Sequence, residues 1–322
     1  MNAHKPSGLD ILVTGGAGFI GSNVVDFLLN DNRVTVVDNL RNVDERFIRK
    51  FMGNRNFKFL KVDITDREAI ASIPGHDLVV HLAANSDVRG GSEDPVTDFR
   101  INSEGTVNIL EYMRKRGVPR IMFASSSTVY GEAKTIPTPE TYGPYLPIST
   151  YGASKMAAEG FISAYSHYYG LTGLIFRFAN IVGTNSTHGV IFDFINKLKK
   201  NHSELEILGD GTQRKSYLHV NDCVGAMFHV NAISKQTDIY NLGNTSMTSV
   251  RRIAEYVTTG LKLGNVNFRF AGGIDGRGWK GDVKVAQLGI EKLSAAGWKN
   301  RYSSDEAVEV AVTEAISQIG AL

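Results

Sequence analysis

Tyr151 and Lys155 stand four residues apart in Tyr151-Gly152-Ala153-Ser154-Lys155, a spacing that one helical turn brings to a single face. A free phenol titrates at ~10, and a neighbouring ammonium together with a second cation beside the ring would bring the tyrosinate within reach of neutral pH. Such a pair takes the proton of an alcohol while hydride leaves the same carbon. Upstream, Ser125-Ser126-Ser127-Thr128-Val129-Tyr130-Gly131 follows an apolar run and supplies hydroxyls able to bond the reacting oxygen. Alone, a Tyr-x-x-x-Lys pair occurs by chance in many helices, and a serine cluster is a common strand-end turn.

What couples them is Thr14-Gly15-Gly16-Ala17-Gly18-Phe19-Ile20-Gly21, directly after one apolar run and opening a helical one. Gly15 permits a tight turn, Gly18 lets a pyrophosphate approach the backbone, and Gly21 lets the helix pack close to a sheet. The helix start then offers unpaired N–H groups to the anion. Asp38 ends the second predicted strand, 17 residues past Gly21, where a carboxylate holds adenosine ribose hydroxyls. It would repel a 2′-phosphate, so NAD is the expected cofactor rather than NADP, with Arg41 close by. A dinucleotide beside a Tyr–Lys pair points to hydride transfer.

These groups need a sheet to hold them. Short apolar runs at Asp10–Thr14, Arg33–Asp38, Phe57–Val62, Leu78–Leu82, Arg120–Ser125 and Thr172–Phe178 read as strands covered on both faces. Helical stretches at Phe19–Asn30, Pro95–Arg116 and Tyr151–Tyr169 lie between them, and Val96, Phe99, Val107, Leu110 and Met113 form an expected core stripe. Strand–helix repetition predicts an α/β, doubly wound parallel sheet. Beyond Phe178 the pattern loosens into a smaller C-terminal α/β lobe. It has expected helices at Val190–Lys200, Asn221–Ala232, Ser249–Thr259 and Ser304–Ile319, and strands at Leu205–Leu208 and Asp238–Leu242. Residues 1–183 are expected to form the cofactor-binding domain, rejoined by about 217–245, and 184–322 the substrate lobe. The prolines Pro137, Pro139, Pro144 and Pro147 make Gly131–Ser149 a stiff irregular loop.

The remaining composition narrows the function classes. Lys+Arg less Asp+Glu is 35 − 33 = +2, which gives no electrostatic case for nucleic acid or an anionic membrane. The polar start Met1–Gly8 reads as neither a signal peptide nor a membrane span. Cys223 is the single cysteine, which excludes an intramolecular disulfide and fits the reducing cytoplasm. The eight histidines show no metal-ligand spacing, so no metal is expected.

Taken together, these motifs resemble the extended short-chain dehydrogenase/reductases of the nucleotide-sugar epimerase/dehydratase kind, among them most closely the UDP-glucose 4-epimerases. The resemblance covers nearly the whole chain. It rests on Gly15, Gly18 and Gly21, on Asp63-Ile64, on His81-Leu82-Ala83-Ala84, on Asn102, on Ser126 with Tyr151 and Lys155, and on Arg177-Phe178-Ala179-Asn180. It implies that Ser126, Tyr151 and Lys155 are the catalytic triad. It implies NAD held by Gly15, Gly18, Phe19, Ile20, Gly21, Asp38, Asn39, Asp63, Ile64, Leu82, Ala83, Ala84 and Asn102, with Tyr151 and Lys155. A nucleoside diphosphate sugar would be bound by Ser86, Ser126, Ser127, Thr128, Asn180, Val190, Arg214, Lys215, Tyr217, Arg277 and Asp282. The implied reaction is 4-epimerisation through a transient 4-keto sugar, the alternatives being a 4,6-dehydratase and a 4-dehydrogenase or ketoreductase. A non-catalytic NAD-binding regulator would have no need of all three triad residues. Similar proteins dimerise by pairing the Pro95–Arg116 helix and the tyrosine helix with the partner's copies, so a homodimer is expected. Two positions depart from the family pattern. Lys215-Ser216 stands where Arg-Asp is usual, and Trp279-Lys280-Gly281-Asp282 where Arg-x-Gly-Asp is usual, with Arg277 two residues upstream.

Overall fold

The computed structural model describes residues 4–43, 45–88, 91, 93–272 and 283–320. It falls into two compact units, one of Met1–Ala133, Glu140–Phe178 and Val224–Asn241, the other of Lys134–Pro139, Ala179–Cys223 and Leu242–Leu322. The short strand Asn180–Val182 pairs with Tyr217–His219 within the second unit, which takes up the chain from Ala179.

In the first unit, β1 (Asp10–Thr14), β2 (Arg33–Asp38), β3 (Phe57–Lys61), β4 (Leu78–His81), β5 (Arg120–Ser126) and β6 (Thr172–Phe178) form one sheet with the strand Asp238–Leu242 at its edge. The spatial order is β3-β2-β1-β4-β5-β6 and then Asp238–Leu242. Adjacent pairs among β1 to β6 are parallel. The order reverses between β1 and β4, whose last residues Thr14 and His81 lie side by side. In an open α/β sheet the crevice beyond such strand ends is where ligands bind.

Both faces of the sheet are covered, which is why its strands are apolar without alternation. On one face Leu12, Val79, Ile121, Phe123 and Ile175 pack with Ile109, Leu110 and Met113. On the other, Phe27 of α1 (Phe19–Leu28) stacks on Phe228 with ring centres 5.1 Å apart. The helix α2 (Arg67–Ser72), capped by Asp66, was not visible in the periodicity because it is barely two turns long.

The expected single helix Pro95–Arg116 is instead α3 (Pro95–Asp98), a π-helical turn Phe99–Glu104, and α4 (Gly105–Arg116). A π-turn inserts residues relative to the α-helical ladder and rotates what precedes it. The expected core stripe is therefore broken. Leu110 and Met113 are fully buried, whereas Val96 and Phe99 are 54% and 59% exposed. Asp98, Asn102 and Ser103 take the inward positions. The helix α5 (Thr150–Tyr169) starts where the Ser149 hydroxyl accepts the Gly152 N–H at 3.1 Å, and ends at Gly170 with φ +70°.

The second unit has its own core. The helices Val190–Lys200, Val250–Gly260 and Ser304–Ile319 bury Phe194, Ile195, Ile253, Val257, Val308 and Val312. The last of these helices opens on a capping box between Ser303 and Glu306. Strand Glu204–Leu208 pairs in parallel with Asn267–Ala271, while Arg214–Lys215 lies between Thr248–Ser249 and Val285–Ala286. Two-residue strands leave no period to read. Among the described residues no helix is long and apolar enough to cross a membrane.

Candidate active site

Ser126 is the last residue of β5 and caps the 3-10 turn Ser127–Tyr130. Its oxygen accepts from the Thr128 N–H at 3.2 Å and from the Thr128 hydroxyl at 2.9 Å. With those lone pairs engaged, the Ser126 proton is free for the Tyr151 hydroxyl, to which Ser126 is hydrogen-bonded. Tyr151 is in the first turn of α5, which approaches the Ser127–Tyr130 turn closely. A Cβ on Gly152 would lie 2.7 Å from the Thr128 carbonyl oxygen.

Lys155, one turn further on, is almost wholly buried and donates from Nζ to the Ala124 carbonyl at 2.9 Å. Its nitrogen lies 4.8 Å from the Phe123 ring centre and 5.9 Å from that of Tyr151. Burial pulls the ammonium down to about 8, opposed by the Glu159 carboxylate. In the chain by itself, burial pushes the Tyr151 phenol up to about 12. The Ser126 hydrogen bond works against that rise, and the Asp98 carboxylate adds to it. Spacing puts the ammonium near the tyrosine, but one of its protons goes to the Ala124 carbonyl, and loss of water is the largest influence on the phenol.

The glycine turn is shaped by what its neighbours leave no room for. Gly15 has φ +69°, and a Cβ there would sit 2.6 Å from the Ala83 nitrogen; a Cβ on Gly21 would overlap the Gly15 carbonyl. Gly18 caps α1 in an extended conformation, and no side chain bonds the helix start, so the N–H groups at Phe19, Ile20 and Gly21 lie at an end left uncapped by side chains. Asp38 is tied to this turn. Its carboxylate accepts from the Ala17 N–H at 3.1 Å and from the Leu40 N–H at 2.9 Å, while burial raises it above the usual carboxylate range. Asn39 donates to Asp63 at 2.7 Å, linking the ends of β2 and β3. Burial raises Asp63, but hydrogen bonds from Thr65 and Asn39 outweigh this, and the net shift is downward. Next to Asp63, Ile64 is buried under Gly105. Leu82 and Ala83 bond back to Thr14, at 3.1 Å to its carbonyl and 3.3 Å to its hydroxyl, and Ala84 follows in the same loop. A side-chain-free cradle at a helix start, an acid at the end of the second strand and a bare loop after the fourth together fit a dinucleotide.

Asn102 holds rather than reaches. Its carbonyl accepts from the Asn85 N–H at 2.8 Å, and its amide donates to the Ser154 hydroxyl at 2.9 Å and the Asn85 carbonyl at 3.3 Å. All its amide hydrogens are spent within the protein, fastening the loop after β4 to α5. Beside it Asp98, fully buried, accepts from Asn85 Nδ2 at 2.8 Å and from the Thr150 hydroxyl at 2.6 Å. Sequence reading missed Asp98, Asn85 and Thr150; the one available signal was an acid four residues ahead of Asn102.

Of the residues expected to bind substrate, Ser127 and Thr128 sit in the turn after Ser126, and Ser86 lies on the loop after β4. In the second unit, Asn180 is in register with Tyr217, Val190 starts a helix, and Arg214 and Lys215 are successive strand residues whose side chains point to opposite faces. Tyr217 is packed in that unit's apolar core. Ser216, standing where the family pattern has aspartate, is wholly buried, and its hydroxyl has no partner among the described residues. Arg277, Asp282 and the Trp279-Lys280-Gly281 segment lie outside the described residues.

Residues 11–243 match the model of the NAD dependent epimerase/dehydratase family. The chain is 31% identical over 313 residues to a UDP-glucuronate 4-epimerase of Thermodesulfobacterium geofontis, covering 92% of this chain and 93% of that one. A crystal structure of a UDP-galactose 4-epimerase resembles it with a TM-score of 0.85 at 39% identity, over 97% of this chain and 100% of that one. The Thermus thermophilus UDP-glucose 4-epimerase in complex with NAD has a TM-score of 0.81 at 31% identity, over 95% and 98% of the two chains. With its glycine cradle, its Ser–Tyr–Lys cluster and a match that spans most of its length, the chain belongs to the NAD dependent epimerase/dehydratase family.

Proposed function

We propose that the chain is an NAD-dependent 4-epimerase of UDP-sugars. The observation that carries this is the Ser126–Tyr151–Lys155 cluster at the carboxyl edge of a sheet whose first turn is a dinucleotide cradle. NAD, when bound, supplies the acceptor and later the donor of the C4 hydride, and a positive charge beside the phenol. Tyr151, as tyrosinate, takes the proton of the C4 hydroxyl, and returns it when the ketone is reduced from its other face. Ser126, turned toward Tyr151 by Thr128, bridges the same oxygen. Lys155 holds a positive charge that offsets the tyrosinate. The C4 carbinol is oxidised and then reduced, so the reaction is balanced with no cofactor consumed. Asn180, Val190, Arg214, Lys215, Tyr217, Arg277 and Asp282 are our candidates for holding the diphosphate, ribose and base, and Ser86, Ser127 and Thr128 for the sugar. The three relatives named above share the UDP group while the sugar varies, which supports binding through the nucleotide.

Chemistry at C4 alone is supported by the residues between Ser126 and Val129. Removing C6 oxygen requires a further acid and base, and the two positions there are Ser127 and Thr128, whose hydroxyls do not ionise near neutral pH. Turnover of UDP-glucose or UDP-glucuronate in D₂O, followed by NMR without added cofactor, is expected to invert C4 with no deuterium on carbon. A 4-keto-6-deoxy product or deuterium at C5 refutes the epimerase, and a 4-keto product with intact C6 identifies a dehydrogenase. A cytoplasmic homodimer completes the proposal. Val96, Phe99, Phe161, Tyr168 and Tyr169 leave an exposed apolar surface on the segments around α3 and α5, which supports a second copy as its cover. Light scattering in solution tests it.

A further inference from the structure

Ser125, Glu159 and Arg177 form a buried cluster behind the acid–base pair that no step above uses. The Glu159 carboxylate accepts the Ser125 hydroxyl at 2.5 Å, Arg177 Nε at 3.0 Å and Arg177 Nη2 at 2.6 Å. Arg177 in turn donates from Nη1 to the hydroxyls of Tyr130 at 3.0 Å and Tyr145 at 3.1 Å. Its guanidinium lies 4.8 and 4.7 Å from their ring centres. A buried ion pair is a poor way to stabilise a fold, because well-packed apolar side chains of the same volume do as well or better. Its position here suggests another use. Glu159 follows Lys155 by one helical turn, as Lys155 follows Tyr151, so the three occupy one face of α5. Ser125 immediately precedes Ser126. One carboxylate therefore grips both the strand end that carries the hydroxyl and the helix that carries the base.

Among the described residues, the groups acting on Lys155 are Tyr151 and Glu159 from α5, the Ala124 carbonyl and the Phe123 ring from β5, and the buried, neutral His81 from β4; Arg177 of β6 is paired to Glu159. We propose that Glu159, held by Arg177 and Ser125, is the positioning residue of the acid–base pair, keeping Lys155 an ammonium and fixing Ser126 against Tyr151. This rests on Tyr151 and Lys155 being that pair. Without Glu159, Lys155 loses the carboxylate that opposes its desolvation and sheds its proton more readily, while Arg177 loses its ion pair. Without the Arg177 cation, the carboxylate acts on Lys155 undiminished.

The test uses protein carrying ¹³C at lysine Cε, with the Lys155 signal assigned by its loss in Lys155→Met. Glu159→Gln is expected to lower the Lys155 titration midpoint by about one pH unit or more. Arg177→Gln should raise it, and Ser125→Ala should leave it in place. A merely structural role predicts loss of stability without movement in opposite directions. An unchanged midpoint in folded Glu159→Gln, or both charge variants moving it the same way, overturns the proposal. Either charge variant decides alone if the other fails to fold. If both fail, Glu159→Asp, which withdraws the carboxylate, must still give a smaller fall. The readout does not depend on turnover, so an active Tyr151→Phe enzyme would refute the catalytic reading while leaving the electrostatic result to stand or fall by itself.

Discussion

Lowering the pH from 7 to 5 is expected to cost the native state about 2 kcal/mol through His81 alone. The imidazole is buried between Thr14 and Thr106, with Nδ1 2.6 Å from Thr14 Oγ1 and Nε2 3.0 Å from Thr106 Oγ1. The Thr106 hydroxyl already donates to the Asn102 carbonyl at 2.6 Å, so it has only lone pairs for the ring, and Nε2 must carry the hydrogen. Thr14 Oγ1 receives the Ala83 N–H at 3.3 Å and donates to Nδ1. The neutral ring is thus satisfied at both nitrogens, and a second proton would point at a hydroxyl already turned to donate. Burial, and then the nearby Lys155 ammonium, push the ring from 6.5 down to about 3. An unfolded imidazole takes up its proton as the pH falls through 6.5, while the folded one waits until about 3. Between those values the unfolded state binds more protons, so stability is complete above 6.5 and falls by about 1.4 kcal/mol per pH unit below it. Urea unfolding at pH 7, 6 and 5 should give a steeper loss for the unmodified protein than for His81→Asn, which starts less stable but lacks this titration. The difference between the two curves should change by about 2 kcal/mol from pH 7 to 5. Parallel curves would refute the tautomer assignment and the buried neutral ring together.

Asp38→Ala should narrow the preference for NAD over NADP, since it removes the carboxylate that repels a 2′-phosphate; equal binding of both by the unmodified protein in calorimetry would sink this assignment. Tyr151→Phe keeps the ring and removes the proton acceptor, so turnover should fall ~10²–10⁴-fold with UDP-sugar still bound, and near-normal turnover would show that another group is the base. Gly21→Ala places a methyl group on the Gly15 carbonyl and should cost about 1–3 kcal/mol in urea unfolding along with most of the NAD affinity; unaltered affinity would mean the turn is not the pyrophosphate cradle.

How much of this was legible in the chain depends on how far apart the cooperating residues are. The first strand and first helix follow from local runs, and the glycine and Tyr–Lys spacings encode one turn of geometry each. The π-turn at Phe99–Glu104 was not legible, because a stripe drawn at helical period passes through Val96, Phe99, Val107, Leu110 and Met113 whether or not extra residues intervene. The burial of Asp98 and Asn102 follows from that turn and was hidden with it. The Glu159 cluster joins residues 34 and 18 positions apart along the chain, with no period relating them. In the second unit, strands of two or three residues, such as Arg214–Lys215, are defined only by their partners.

The protonation of the pair shows why chemistry was harder to read than placement. A sequence displays neighbouring charges but not the water that folding removes. The sequence shows the Lys155 charge beside Tyr151, yet in the folded chain by itself burial holds the phenol at about 12 and the ammonium at about 8. Both shifts have the same first cause, burial, acting on groups whose charged forms have opposite sign. The group poised closest to neutral pH is therefore the lysine. Asp98 on one side raises the phenol, and Glu159 on the other supports the ammonium. Two buried carboxylates thereby bias both partners toward their protonated forms, so forming the tyrosinate that takes the C4 proton calls for a further positive charge beside the phenol, which NAD would supply when bound.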